Sequence, residues 1–285
     1  MFGKRHDGRR VHDIDPIEKL IPYIMKTRTD SMNLYNDDFD CEPLDNYIKR
    51  KKEETGVKYT YMHIIIAALV RTMALRPQLN RFIMNSKVYA RYDIRTSLAV
   101  QRNLRDDSGE TTLKFKFDGT ETLEQVREQI DRMISETMKA ENGTDKLARI
   151  ILYLPHWLIK AFVAFITFLD RHEMTPKFVT ELSPFHTSFF ITNLKSLGIN
   201  YIYHHVYEFG TTGIFIGLGK EKVIPAIDKR TGEVVPRKML TLGLVSDERF
   251  CDGLYYAKSM RYFRKYMNHP ELLETPLEAK VEDVK

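Results

Sequence analysis

The sequence predicts an α/β fold in which helices pack on a mixed sheet as a sandwich. Apolar residues recur at helical spacing in some stretches and alternate with polar residues in others, so both helices and strands are expected. These elements interleave without regular βαβ spacing, which argues against a Rossmann domain or a barrel. With 285 residues, 43% of them hydrophobic, we expect a single domain over residues 1–285 with an ordered core from about residue 15 to about residue 275.

Three helices are expected in the first half of the chain. Pro43 to Glu54 predicts a helix that ends at Gly56, because proline suits the first helical turn and glycine the C-terminal cap. Thr60 to Arg76 predicts a second helix that is apolar nearly all round and is therefore buried in the core. The third begins with a capping box at Thr122 and runs to about Ala140.

Strands are expected where β-branched and aromatic residues alternate with polar ones. The predicted strands are Val88–Arg91, Ile94–Gln101, Leu113–Phe117, Ser188–Asn193, Tyr201–Tyr207, Gly213–Gly219 and Met239–Ser246, with a turn at Thr231-Gly232. A closing helix is expected over Gly253–Met267. The charged residues before residue 15 read as a leader, and the charged tail from Glu271 to Lys285 is expected to fray.

Composition and charge narrow the class of function. The net charge of +5 comes from 44 basic and 39 acidic residues, a weak basic bias that predicts no nucleic-acid partner. Cys41 and Cys251 are far apart in sequence and lie in no metal-ligand spacing, so neither a disulfide framework nor a metal site is expected. The first ten residues are polar and basic with no apolar stretch behind them, which predicts a cytoplasmic protein.

One long apolar segment, Ile150–Leu169, needs its own interpretation. Pro155 and Lys160 interrupt it, whereas a bilayer span needs about 20 predominantly apolar residues without a central charge. The favoured interpretation is a helix buried in the domain or at a subunit contact. An interfacial helix that contacts a membrane through Trp157–Phe168 is a less favoured alternative, and a true span is the least favoured.

A heptapeptide near the end of the chain, Asp247-Glu248-Arg249-Phe250-Cys251-Asp252-Gly253, resembles an active-site signature. It is similar to the D-H-R-x-x-D-G motif in the catalytic domain of the acyltransferase component of 2-oxo-acid dehydrogenase complexes, within the chloramphenicol acetyltransferase-like superfamily. Glu248 stands where that family has its catalytic histidine. Further matching stretches occur in the family's order, at Tyr59–Ala68, Leu75–Asn80, Phe190–Gly198 and Ile214–Gly219. The resemblance implies a two-layer sandwich of that superfamily. The sequence shows no pattern of a lipoyl domain or a subunit-binding domain, so we expect no lipoyl group of its own.

The resemblance also implies a reaction: acyl transfer between a coenzyme A thioester and an unknown acceptor, in a homotrimer with sites between subunits. In the family, a histidine deprotonates the attacking thiol or hydroxyl, and a serine or threonine hydroxyl hydrogen-bonds the oxyanion. Thr192 matches that hydroxyl, and it would face Glu248 and Asp252 of the neighbouring subunit. The family's aspartate, here Asp252, is usually held by an N-terminal arginine. Glu18 or Lys19 falls near that arginine's expected position, and Arg9, Arg10 and Arg28 are the other candidates.

The exchanged residue leaves a second hypothesis open. A carboxylate is a poorer base than imidazole for a thiol at neutral pH, and Glu248 could simply pair with Arg249. The alternative function is therefore a catalytically disarmed homologue that binds acyl-CoA or another apolar ligand, or that assembles with partners. The pair His204-His205 has a spacing similar to the family signature and is a less favoured catalytic candidate, while His63 is expected in the core.

Four cations, two just after Gly219 and two near the turn at Thr231-Gly232, are candidates for the phosphates of coenzyme A. Solvated surface charge is the more common role of such residues, and no glycine-rich phosphate loop accompanies them. The four are Lys220, Lys222, Lys229 and Arg230.

Overall fold

The computed structural model describes residues 5–101, 110–139, 150–228 and 230–285. The strands of its main sheet are β2 (Met32–Asp40), β5 (Ile94–Gln101), β6 (Glu110–Phe117), β7 (Phe189–Asn193), β8 (Ile214–Ile227) and β9 (Val234–Asp247). In the described residues these six strands lie in the order β2-β9-β8-β7-β5-β6. Strand β7 is parallel to both β5 and β8, and the other neighbours are antiparallel. The predicted mixed sheet is confirmed.

Helices cover one face of this sheet. The helices are α1 (Pro16–Ile24), α2 (Glu42–Thr55), α3 (Tyr61–Leu75), α4 (Leu123–Lys139), α5 (His156–Arg171), α6 (Lys177–Leu182) and α7 (Gly253–Asn268). Apolar side chains of α2, α3, α4 and α7 form one cluster with side chains from the sheet, which is the main core. The helices predicted to begin at Pro43, Thr60 and Thr122 and the closing helix are confirmed within one or two residues at each end.

Helix α3 lies at the centre of this core. Thr60 caps it, because its hydroxyl accepts a hydrogen bond from the backbone N–H of His63 at 3.4 Å while His63 Nδ1 accepts from the backbone of Thr60 at 3.3 Å. Every residue from Tyr61 to Ala74 is buried. The predicted buried helix and the predicted core position of His63 are both confirmed.

A smaller sheet contains the N-terminal strand and contacts the C-terminal tail. It has the order β1-β4-β3, with β1 (Gly8–Arg10), β3 (Arg81–Met84) and β4 (Lys87–Arg91). Buried Arg81 donates two hydrogen bonds of 2.7 Å to Asp283, and the carbonyl of Lys285 accepts from the backbone N–H of His12 at 3.0 Å. The expectation of a frayed tail was therefore wrong, because Asp283 neutralises a buried guanidinium.

The other face of the main sheet is covered by an irregular segment, residues 199–209. The segment lies so close that a Cβ added to Gly217 would come within 2.6 Å of the carbonyl oxygen of Ile202, and Gly243 is similarly restricted. The strand predicted at Tyr201–Tyr207 is wrong: these residues pair with no strand, since they lie flat on the sheet instead of at its edge.

The apolar segment does not enter the core. In α5 only Ile166 and Asp170 are buried, so the interpretation of a helix buried in the domain was wrong for most of its length. The described part of the chain contains no helix with both the length and the apolar character that crossing a membrane requires. A subunit contact and an interfacial helix remain as interpretations of α5.

Candidate active site

Thr192 lies on β7 with its hydroxyl on the sheet face opposite the helices. Side chains alternate along a strand, and Ile191 belongs to the helix-side core whereas Phe190 packs on the other face, where Thr192 also points. There Thr192 Oγ1 is 2.9 Å from Nε2 of His204 and 3.4 Å from the carbonyl oxygen of Ile216. The hydroxyl predicted as the oxyanion donor is thus hydrogen-bonded to an imidazole of the same chain.

His204 reaches Thr192 because the segment of residues 199–209 lies directly on the sheet. Its ring stacks on Phe215 with 4.5 Å between ring centroids and is half-buried. Burial lowers the pKa of His204 below its ordinary value of 6.5, and the charge of His205 lowers that pKa further. The ring is therefore mostly neutral at pH 7, and the hydrogen bond to Thr192 can run in either direction according to which nitrogen carries the proton.

Sequence reasoning ranked His204 low because it expected a strand there. One signal pointed the other way: Gly217 and Gly219 are two residues apart on β8, so they lie on one face of the sheet. Glycines on one face indicate that another backbone approaches it closely. A Cβ on Gly219 would lie 2.5 Å from the backbone nitrogen of Tyr201, which shows that close approach.

The signature turn is held by Asp247. Its carboxylate accepts hydrogen bonds from Nε and Nη2 of Arg249, at 2.8 and 2.7 Å, and from the hydroxyl of Ser31 at 3.2 Å. Both Asp247 and Arg249 are buried, which makes this a charge-assisted and well-ordered pair. The arginine of the signature, Arg249, is therefore ion-paired with Asp247.

Glu248 follows in a short 3₁₀ turn, Glu248–Phe250. Its backbone N–H donates to the carbonyl of Ser31 at 2.8 Å, which fixes its main chain at the end of β9. The side chain is partly exposed, and within the described residues its carboxylate has no hydrogen-bond or ion-pair partner. The predicted pairing of Glu248 with Arg249 does not occur, so the carboxylate faces solvent on this subunit.

Asp252 serves as the N-terminal cap of α7. Its side chain accepts a hydrogen bond of 2.6 Å from the backbone N–H of Tyr255 and is exposed. Among the described residues, none of the candidate arginines contacts it: Arg9 donates to the carbonyls of residues 283 and 284, and Arg28 donates to those of residues 83, 207 and 208. The arginine–aspartate pair that the structure shows in the signature is Arg249 with Asp247.

Thr192 and Glu248 of one chain do not meet. Thr192 is paired with Gly217 on β8, and Gly217 with Gly243 on β9, so Glu248 lies two strands across and five residues further along. At the usual spacings this is about 10 Å across the strands and about 16 Å along them, or about 19 Å in all. A single subunit therefore cannot apply both residues to one acyl group.

A groove with a volume of about 690 Å³ lies on the helix side, at the carboxyl ends of β5 and β7. Asn193, next to Thr192, lines it together with Lys58 and Lys195. His63 Nε2 lies 3.2 Å from a carboxylate oxygen of Asp131 at the same groove. The volume is in the range of small-ligand sites. Lys58 contributes a positive charge, whereas Lys195 is paired with Glu221 at 2.5 Å and Asp131 contributes a negative charge.

Of the cations predicted for the phosphates of coenzyme A, those that the structure describes do not line this groove. Lys220 is exposed, Lys222 pairs with Asp38 at 3.4 Å, and Arg230 is exposed next to the β8–β9 turn. Lys229 lies outside the described residues. In the part of the chain that the structure describes, no group of three or more histidine, cysteine, aspartate or glutamate side chains could hold a metal ion.

Comparison with protein families gives one match. Residues 183–275 match the family of 2-oxoacid dehydrogenases acyltransferase (catalytic domain), and this range includes Thr192, His204, Glu248 and Asp252. A comparison with curated proteins finds no significant match.

Solved structures with a similar fold extend the comparison to the whole chain. A probable dihydrolipoamide acetyltransferase from Listeria monocytogenes has a TM-score of 0.56 and 15% sequence identity, and the alignment covers 91% of this chain and 94% of that one. A truncated catalytic core of the 2-oxoacid dehydrogenase multienzyme complex from Thermoplasma acidophilum has a TM-score of 0.53 and 14% identity, with 92% and 99% covered. A chloramphenicol acetyltransferase has a TM-score of 0.53 and 11% identity, with 93% and 99% covered.

These identities are low, so the structures establish the fold alone, while the family match adds the sequence pattern of residues 183–275. The resemblance found in the sequence is confirmed. The chain has the fold of the chloramphenicol acetyltransferase-like superfamily and carries, in its C-terminal part, the sequence pattern of the acyltransferase catalytic domain of 2-oxoacid dehydrogenase complexes.

Proposed function

We propose that the protein is a coenzyme A-dependent acyltransferase whose sites form between the subunits of a homotrimer. The observation that carries this proposal is the hydroxyl of Thr192, which lies within the family match on the sheet face opposite the helices, 2.9 Å from a half-buried imidazole. The separation of about 19 Å between Thr192 and Glu248 supports sites shared between subunits, because only a neighbouring chain can bring the signature turn to Thr192.

The residues fit general-base catalysis with oxyanion stabilisation. A base takes the proton from the acceptor hydroxyl, and the acceptor oxygen attacks the carbonyl carbon of the acyl thioester. The carbonyl oxygen becomes an oxyanion that accepts a hydrogen bond from Thr192. When the intermediate collapses, the carbon–sulfur bond breaks and the thiolate of coenzyme A takes up the proton.

Two side chains are candidates for that base. Glu248 of the neighbouring subunit stands at the position of the family's histidine, and its carboxylate is unpaired among the described residues. His204 is already next to Thr192, and its lowered pKa keeps the ring in the proton-accepting form at neutral pH. The groove at Asn193 would hold coenzyme A, with Lys58 and Lys195 near its phosphates.

The exchange of histidine for Glu248 favours a second candidate function. A homologue without a competent base would still offer the groove and the sheet face for binding acyl-CoA or another apolar ligand, or for assembly with partners. In that case acyl-CoA binds without turnover, and replacing Glu248 by histidine creates turnover.

The test is release of free coenzyme A from acetyl-CoA and longer acyl-CoA with a panel of acceptors. We expect Thr192→Val to lower kcat by about 10²–10³-fold, since it removes one oxyanion donor and keeps the side-chain volume. The matched control is Thr55→Val, an exposed hydroxyl at the end of α2 that bonds only the carbonyl of Lys51 and the backbone N–H of Val57 among the described residues. Equal rates for the wild type and Thr192→Val would overturn the proposal.

Two further measurements identify the base and the assembly. Loss of the base should lower the rate by about 10²–10⁴-fold, in Glu248→Gln or in His204→Gln. If His204 is the base, the rate should also fall as the pH drops through its lowered pKa, because the protonated ring cannot accept a proton. Co-expression of Thr192→Val with Glu248→Gln should restore one site in each mixed trimer, or about a quarter of all sites after random assembly, and no recovery would contradict an interfacial site.

A further inference from the structure

Helix α5 presents an apolar stripe to solvent. Trp157, Ala161, Ala164, Phe165 and Phe168 recur at i, i+4, i+7, i+8 and i+11, so they share one face of the helix, which we call the outer stripe. Trp157 is 69% exposed, Phe165 56% and Phe168 50%, although the ring of Phe168 also contacts that of His172 with 4.1 Å between centroids. A surface helix normally turns such a face towards the core.

The exposed apolar surface continues beyond the helix. Ile150 and Leu152, in the helical residues 150–152, and Tyr153, in the turn that follows them, are all largely exposed. Large contiguous apolar surface on a soluble domain marks a site of interaction with a protein or a membrane. Trp157 and Tyr153 lie at the same end of the segment, and these two residue types are the ones enriched at membrane–water interfaces.

The charges on α5 indicate which partner fits. Its exposed charged residues, Lys160 and Arg171, are both cationic. Its only acidic residue, Asp170, is buried and lies 2.8 Å from Arg5 and 3.3 Å from His186 in ion pairs. The outer surface of the helix therefore combines an apolar stripe with positive charge alone, which complements an anionic phospholipid surface.

The geometry also fixes how such a helix would lie. Sixteen residues make α5 about 24 Å long, too short for a hydrocarbon core of about 30 Å. The ion pairs of Asp170 fasten its C-terminal end to the domain. We propose that α5 is an interfacial helix that docks the protein on anionic phospholipid membranes, with the outer stripe in the headgroup region.

The experiment is flotation of the full-length protein with phosphatidylcholine vesicles, with and without phosphatidylglycerol. We expect binding to the phosphatidylglycerol vesicles that weakens with added salt. Trp157→Asp combined with Phe165→Asp should weaken binding by at least about 10-fold, because two aromatic side chains no longer enter the interface. Lys160→Gln should weaken binding to the anionic vesicles by about 5-fold and leave binding to neutral vesicles unchanged.

Tyr92→Asp is the matched control, since Tyr92 is as exposed as Phe165, at 56%, but lies outside α5. It should float like the wild type, and circular dichroism should show that all variants are folded. Absence of wild-type binding, or equal binding of the double variant, would overturn the proposal. Light scattering gives a further outcome that would overturn it. In that outcome the wild type forms an oligomer and does not bind vesicles, and the double variant, but not Tyr92→Asp, dissociates the oligomer. A second copy would then be the occupant of the outer stripe.

Discussion

Helices α3 and α5 are nearly equal in length and both are rich in apolar residues, yet they occupy opposite environments. Helix α3 is buried from Tyr61 to Ala74, between α4, α7 and the sheet, whereas α5 buries only Ile166 and Asp170. Apolar content therefore predicts that a helix has a surface to bury, but it does not predict what that surface packs against. The domain itself covers α3, whereas most of α5 stays exposed among the described residues.

The largest expected effect comes from the same type of truncation in the two helices. Ile65 is fully buried in α3, so Ile65→Ala should lower the free energy of unfolding by about 4 kcal/mol through lost burial and the cavity left behind. Phe165→Ala in α5 should change it by less than about 0.5 kcal/mol. Urea denaturation in the absence of vesicles measures both, and similar losses would show that α5 is covered in solution.

An intermediate loss of stability is expected at the C-terminal end of α5, where ion pairs attach the helix to the domain. Asp170→Asn removes charge-assisted bonds with Arg5 and His186 and should lower the free energy of unfolding by about 2 kcal/mol at pH 7. Although burial alone would raise the pKa of Asp170, the hydrogen bond with His186 and the charge of Arg5 outweigh it and lower that pKa below 3.8.

The sign of the pH dependence follows from that shift. Because the pKa of Asp170 is lower in the folded state, its stabilisation is present above about pH 4 and is lost as the pH falls further. Wild type and Asp170→Asn should therefore converge in stability at acid pH. Asp118→Asn is the control, an exposed carboxylate that pairs with Lys280 at 2.8 Å, and it should cost less than about 1 kcal/mol. A gap that widens towards low pH would contradict this assignment.

The smallest effect is expected where an irregular segment, instead of a helix, covers the sheet. A Cβ at Gly217 would meet the backbone of Ile202, so Gly217→Ala should cost about 1–2 kcal/mol and displace the segment that carries His204. The proton resonances of the His204 ring should shift accordingly. Gly253→Ala, where nothing lies within 4 Å of the added Cβ, should leave both readouts unchanged. Unshifted His204 resonances in Gly217→Ala would show that the contact is not maintained in solution.

Local signals in the sequence predicted much of the fold. Gly56, which is left-handed with a φ of 72°, marks the end of α2. The cap at Thr60 and the apolar pattern from there to Pro77 define α3. Both helices could therefore be predicted without tertiary information. The pattern of β2 was hidden, because this edge strand is largely polar and pairs only with β9. Neither β2 nor α1 was therefore among the predicted elements.

The site was predictable in its residue types but not in its contacts. Thr192 and the signature turn were found from the family pattern, and the structure describes both. The hydrogen bond between Thr192 and His204 depends on a segment folding onto the sheet face, and the ion pair between Asp247 and Arg249 depends on the shape of a tight turn. Such contacts join residues by tertiary packing, so periodicity and spacing carry little information about them.

The ion pair between Arg81 and Asp283 has a consequence for biosynthesis. The two residues are 202 positions apart, and at about 5–20 residues per second a ribosome needs roughly 10–40 s to pass from one to the other. During that interval β3 has already been synthesised, but Asp283, whose carboxylate neutralises Arg81 in the folded chain, has not. Glu18, 3.6 Å from Arg81 in the folded protein, is an earlier-made partner. The ion pair that holds the small sheet to the C-terminal tail can therefore form only after nearly all of the chain has been translated.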